Sequence, residues 1–201
     1  CAKFKIVPDL YKLLVLNNVN ISERNVQAVS NLSTFGVGFI SAYNDYVVVR
    51  DCSKSGLLGR RYTNYNIFGS TGEDQTKCYH IPAKIDLLDD SPCVINITEG
   101  IFDILGVYHH LDIDREYNNQ LFVAACGAGI INVLKDYIKN YGLISCRINI
   151  FSDADVPLEK YNSLKYFGKY IDGTISIYYN ELSKDFGVRK DQIKYTKIKI
   201  K

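Results

Sequence analysis

Glu99, Asp153 and Asp155 are the residues of this chain best placed to do chemistry, because both acidic steps directly follow apolar runs. "VINIT" leads into Glu99 and Gly100, with Asp103 four residues after the glutamate, and "CRINIFS" leads into the D-x-D pair Asp153 and Asp155. Apolar runs of this length read as buried strands, so both acidic steps leave strand ends. Acids gathered from separate strands repel one another and raise one another's pKa unless a cation neutralises them. Hard carboxylate oxygens with room for water suit Mg²⁺ or Mn²⁺. A single acid such as Glu99 is also explained as a residue favoured at a helix N-terminus by the macrodipole. That explanation accounts less well for an E-G-x-x-D step and a D-x-D step separated by one strand–helix unit.

The elements that must position these acids follow from the apolar pattern. Residues 9–34 read as one or two helices, with Ser22 an N-cap before "ERNVQAVSNL". "VGFISA" and "YVVVRD" flank Asn44 and Asp45 as a hairpin, and "LLGRRYTNYNIFG" continues a small antiparallel, basic, tyrosine-rich β unit. From Pro92 onward, strand-like runs alternate with helices: "CVINI" before "IFDILGVYHH", "LFVAAC" before "IINVLKDYIKNYG", "CRINIF" before a helix opened by Pro157, and "TISIYY" last. Such alternation predicts an α/β fold with an open parallel sheet, whose ligands bind beyond the carboxyl ends of the strands. The acidic, turn-rich "DLLDDSP" divides an N-terminal α+β subdomain, 1–90, from the sheet domain, 91–201.

Composition narrows the classes. With 201 residues, 47% hydrophobic and 23% charged, the chain is long enough for one large or two small domains. No apolar stretch approaches the roughly 18–20 residues of a membrane span, so no membrane role is expected. The chain has no methionine and opens on Cys1, so it reads as an excised domain or processed fragment. Its six cysteines lack any C-x-x-C pair and read as buried thiols of a reducing compartment. The last thirteen residues, "RKDQIKYTKIKIK", carry six Lys/Arg against one Asp, a pattern shared by an edge strand with a solvated lysine face and by a nucleic-acid contact. Arg50, Lys54, Arg60 and Arg61 stand against Asp51 alone within twelve residues, a cluster that attracts phosphate, with Tyr62 and Tyr65 near enough in sequence to stack bases. Tyrosines at strand spacing also serve as sheet-face packing. His109 and His110 suit a helix C-terminus, and "GAG" at 127–129 lacks the spacing of a dinucleotide loop.

"ITEGIFDIL", "VAACGAG" and "INIFSDADV" together resemble the Toprim domain of bacterial-type primases, topoisomerases and some nucleases, over about half the chain from Cys93 to about Gly187. The resemblance implies a Toprim-like parallel sheet flanked by helices. It makes Glu99 the first-motif glutamate beside Gly100, Gly127 the glycine after the second strand, and Asp153 with Asp155 the metal-binding pair. Asp103 matches the aspartate of the first helix, as a site acid or a structural one. Topoisomerases continue to D-x-D-x-E, whereas Pro157 stands here; primases often carry Ala-Gly after the pair, whereas Val156 and Pro157 stand here. The match is therefore to a divergent primase, phage-encoded or bacterial. "YYNELSKDFG" resembles the segment where primases place another acid, making Asp185 either an auxiliary metal ligand or a turn acid beside Gly187. The basic β unit and "TKCYHIP" resemble the strand-rich part preceding Toprim in primases, so that Lys77 with Arg60 or Arg61 would contact phosphates of template or nucleotide.

What the resemblance implies is an RNA-polymerising core that makes short primers on single-stranded DNA in the bacterial cytoplasm. It would use nucleoside triphosphates and Mg²⁺ or Mn²⁺, and would meet a replicative helicase through a domain outside this chain, as it would a zinc-binding template reader. A Toprim nuclease using the same three acids, or a non-catalytic nucleic-acid scaffold, are the alternatives.

Overall fold

The computed structural model describes residues 2–9, 12–13, 34–42, 44, 46–53, 62–66, 78–81, 93–112, 119–141, 146–169 and 174–200. The chain divides into two units, Cys1–Pro82 and Ala83–Lys201. Most of the helical reading of 9–34, including Ser22, lies outside the described residues, as do Lys54, Arg60, Arg61 and Lys77.

In the first unit, β1 (Gly36–Ile40), β2 (Tyr46–Asp51) and β3 (Tyr62–Asn66) form an antiparallel sheet in that order. Three consecutive valines, Val47 to Val49, are fully buried in β2, where β-branched side chains suit a pleated surface. The expected hairpin joins β1 to β2, with Ile40 opposite Val47. Its turn is closed by Ser41, whose hydroxyl accepts from the Tyr46 amide at 3.0 Å, and Asn44 takes the left-handed conformation (φ 61°) that asparagine tolerates. Phe39 packs edge-on against Tyr79 of β4 (Tyr79–Ile81) with ring centroids 5.3 Å apart. The Tyr79 hydroxyl donates to the Phe4 carbonyl at 2.9 Å.

The sheet of the second unit orders its strands β6-β5-β7-β8-β9. Its strands are β5 (Cys93–Thr98), β6 (Gln120–Ala124), β7 (Cys146–Ser152), β8 (Ile175–Asn180) and β9 (Tyr195–Lys199). β6, β5, β7 and β8 run parallel, and β9 is antiparallel to β8. Every residue of β5 is buried, as a parallel strand covered on both faces requires. The fold is thus mixed α/β with a mostly parallel sheet, as the strand–helix alternation implied.

Helix α1 (Ile101–His110) follows β5, and α2 (Ile130–Tyr141) follows β6. α2 turns Val133, Leu134 and Tyr137 fully inward, the i, i+1, i+4 stripe of an amphipathic helix. After β7 the chain forms a 3₁₀ helix over Leu158–Lys169, whose first turn is closed by the Lys160 amide donating to the Pro157 carbonyl at 3.1 Å. Proline at the entry is as expected, but the i→i+3 bond tightens the turn below an α-helix. The basic tail resolves into edge strand β9, where Tyr195, Thr196, Lys197 and Lys199 are exposed. The Lys197 ammonium lies 5.1 Å from the ring centre of Tyr178, opposite it in the ladder. Of the cysteines, Cys78, Cys93, Cys126 and Cys146 are buried free thiols, whereas Cys52 is exposed. Burial pushes the Cys93 thiol up to about 11 and that of Cys146, opposite it in the ladder, up to about 12.

Candidate functional site

Sheet order decides which strand ends are neighbours. β5 lies between β6 and β7, so the connection after β5 runs one way to β6 and the connection after β7 the other way to β8, and the gap between β5 and β7 is the point where the order reverses. Thr98, which ends β5, is opposite Phe151 near the end of β7. Glu99 is the next residue after β5 and Asp153 the next after β7, so the two acids emerge side by side where an open parallel sheet forms its crevice.

A cleft of about 650 Å³ opens there, lined by Glu99, Gly127, Asp153 and Asp155 together with Lys160 and Lys184. The residues after β6 shape one wall. Cys126, Gly127 and Gly129 all take positive φ (51°, 86° and 87°) before α2 starts, which glycine does without steric cost. That turn aims the Gly127 amide at the Glu99 carboxylate, 3.0 Å away, while the Cys126 amide bonds the Glu99 carbonyl at 2.9 Å. The glutamate is held by both its side chain and its backbone.

Burial pushes the Glu99 carboxyl above its ordinary range; the Gly127 amide and the Lys160 charge oppose the rise, and Asp153 adds to it. The acids therefore sense each other, and the site offers cationic partners that the linear pattern did not reveal. Lys184 forms an ion pair with Asp155 at 2.8 Å. The Tyr161 hydroxyl shares a hydrogen bond of 2.8 Å with Ser152 in the lining of the cleft, and burial raises that phenol to about 12. Lys160, Tyr161 and Lys184 carry no local spacing signal that would have singled them out.

No protein-family model, curated protein or solved structure matches the chain. Its chemistry is argued from the cleft alone.

The other expected site residues are placed differently. Asp103, on the first turn of α1, accepts hydrogen bonds from the amides of Phe186 and Gly187 at 3.1 and 2.8 Å and does not line the cleft. Burial raises its carboxyl to about 6, with the charges of Asp185 and Asp153 adding and the two amides opposing. Asp185 sits close enough to repel Asp103, and its carbonyl accepts from the Asn180 side chain at 2.8 Å. Gly100 caps the start of α1, and its carbonyl accepts from the Thr98 hydroxyl at 2.7 Å. Arg50 lies in β2 of the first unit, opposite Tyr62.

Among the described residues, no three His, Cys, Asp or Glu side chains are gathered into a ready-made metal cage. Mg²⁺ does not require one, since it keeps several waters and is bound through one or two carboxylates plus substrate phosphates. Glu99 and Asp153, two mutually repelling oxygen donors at the mouth of an open cleft, fit that pattern.

Proposed function

We propose that this chain is the RNA-polymerising core of a divergent bacterial-type DNA primase built on a Toprim domain. The observation that carries the reading is the meeting of Glu99 with the D-x-D acids in one cleft at the sheet's reversal point. That is where the sequence resemblance puts the metal-binding glutamate and acidic pair.

Glu99 and Asp153 would hold Mg²⁺ or Mn²⁺, which when bound supplies neutralisation of triphosphate charge. The chain's own groups do the remainder. The Gly127 amide fixes the Glu99 carboxylate in one orientation. Lys160 and Lys184 put two positive charges on a cleft that a polyphosphate would enter. Catalysis of nucleotidyl transfer is mainly positioning and electrostatics, and the cleft is organised for both. Template tracking is assigned to the basic residues Arg50, Lys54, Arg60, Arg61 and Lys77, and a helicase contact to a further domain.

The test is incubation of the chain with single-stranded DNA, radiolabelled nucleoside triphosphates and Mg²⁺ or Mn²⁺, scored for synthesis and for cleavage. Synthesis by the wild type, lost in Glu99→Gln and in Asp153→Asn, is the expected result. Metal-dependent cleavage without nucleotide would move the assignment to a Toprim nuclease. Nucleic-acid binding unaffected by either substitution and by metal, without turnover, would make the chain a scaffold.

A further inference from the structure

The second acid of the D-x-D pair already has a cation. Lys184 meets Asp155 at 2.8 Å, and the backbone that carries it is bonded independently of that ion pair. The Ala154 amide, between the two aspartates, donates to the Lys184 carbonyl at 2.7 Å. Two residues on, Phe186 is buried to 1% exposure, and its amide and that of Gly187 bond to Asp103. Gly106 on α1 lies so close that an added Cβ would sit 2.1 Å from the Phe186 carbonyl oxygen. The backbone is bonded at Lys184 and just after it, which keeps the base of the lysine side chain beside the D-x-D turn.

Two-metal phosphoryl-transfer centres use a pair of cations to stabilise the attacking and leaving oxygens. Here one acid of the expected set is paired with an ammonium of the same chain, while Glu99 and Asp153, which follow the neighbouring strands β5 and β7, line the same cleft. We propose that Lys184 takes the place of a second divalent cation, so that the cleft binds one such ion, through Glu99 and Asp153, and leaves Asp155 to Lys184. This rests on the reading of the cleft as a divalent-cation site. Both partners of the ion pair are more than half exposed, at 53% and 62%, and exposed pairs of this kind are weak. Such a pair can break and re-form, so the Lys184 ammonium can exchange Asp155 for an incoming phosphate oxygen.

The experiment is Mn²⁺ titration of the full chain followed by electron paramagnetic resonance, which counts bound ions without any need for turnover. The wild type is expected to bind one Mn²⁺, Lys184→Met two, and Lys184→Arg one, because the guanidinium restores the charge. Adding Asp155→Asn to Lys184→Met should return the count to one. Two ions in the wild type, or one in Lys184→Met, would overturn the role of Lys184 and leave the cation site standing. No ion bound by either protein would overturn the cation site itself, and the inference with it.

Discussion

The carboxylate of Asp103 ties α1 to a segment 83 and 84 residues later, accepting from the amides of Phe186 and Gly187 with one oxygen, Oδ1. One acid thus secures the stretch that carries Lys184 to the cleft. Removing the acceptor takes the partner from the part-buried Phe186 amide and from the exposed Gly187 amide, which water can reach, at a total of roughly 1–3 kcal/mol. Asp103→Ala is expected to lower the urea midpoint with the slope unchanged, whereas Asp103→Asn, which keeps the oxygen, should be at least as stable as the wild type at pH 7. Equilibrium urea unfolding checks both.

The same residue makes stability depend on pH in a stated direction. Its pKa rises from 3.8 in the unfolded chain to about 6 in the fold, under burial and the charges of Asp185 and Asp153. Between those values the native state binds more protons than the unfolded state, so stability falls as pH rises from about 4 to 6 and is greatest on the acid side of that window. At ~1.4 kcal/mol per pH unit the contribution has an upper bound of about 3 kcal/mol. Asp103→Asn should flatten this slope, measured as the urea midpoint against pH.

Glu99 is expected to trade stability for chemistry. Its carboxyl is raised by burial, with Asp153 adding, so the charged form needed for cation binding is disfavoured in the fold. Glu99→Gln should stabilise the chain by about 0.5–1 kcal/mol at pH 7 while weakening Mn²⁺ binding more than about 10-fold. Thermal unfolding and Mn²⁺ titration of the same preparation separate the two effects.

Two glycines should respond differently to alanine. At Gly106 the new Cβ would meet the Phe186 carbonyl oxygen at 2.1 Å, and overpacking of this kind costs about 1–3 kcal/mol. Gly127 has nothing within 4 Å of an added Cβ but holds φ at +86°, so its alanine variant carries only backbone strain of roughly 1–2 kcal/mol. Gly106→Ala should also displace Lys184 from Asp155 and raise the Mn²⁺ count; Gly127→Ala should instead loosen Glu99.

A polar ladder crosses the buried sheet, with Asn149 donating to Asn96 at 3.0 Å and Asn96 donating to Gln120 at 3.0 Å. Asn96→Leu deprives Asn149 of its acceptor in a dry interior and should cost about 1–3 kcal/mol. The double variant Asn96→Leu, Asn149→Leu should cost less than the two single changes added, because neither residue then leaves the other stranded. A double-mutant cycle in urea measures the difference.

Much of the scaffold was legible in the amino-acid order. "VINIT", "CRINIFS" and "TISIYY" are strands because runs rich in apolar, β-branched residues can be buried on both faces, and of the two readings open to the K-I-K alternation, an edge strand is one that β9 fits. The positions of Glu99 and Asp153 at strand ends followed from the same runs. That β5 lies beside β7 was decided by sheet order, and only this brings the two acids to one crevice. Lys160, Lys184 and the amide partners of Asp103 were illegible for the same reason. Strand and helix periods describe neighbours along the chain, whereas the Asp103–Gly187 bond, the Phe186 approach to Gly106 and the Lys184–Asp155 pair join segments that meet only when the hydrophobic core closes.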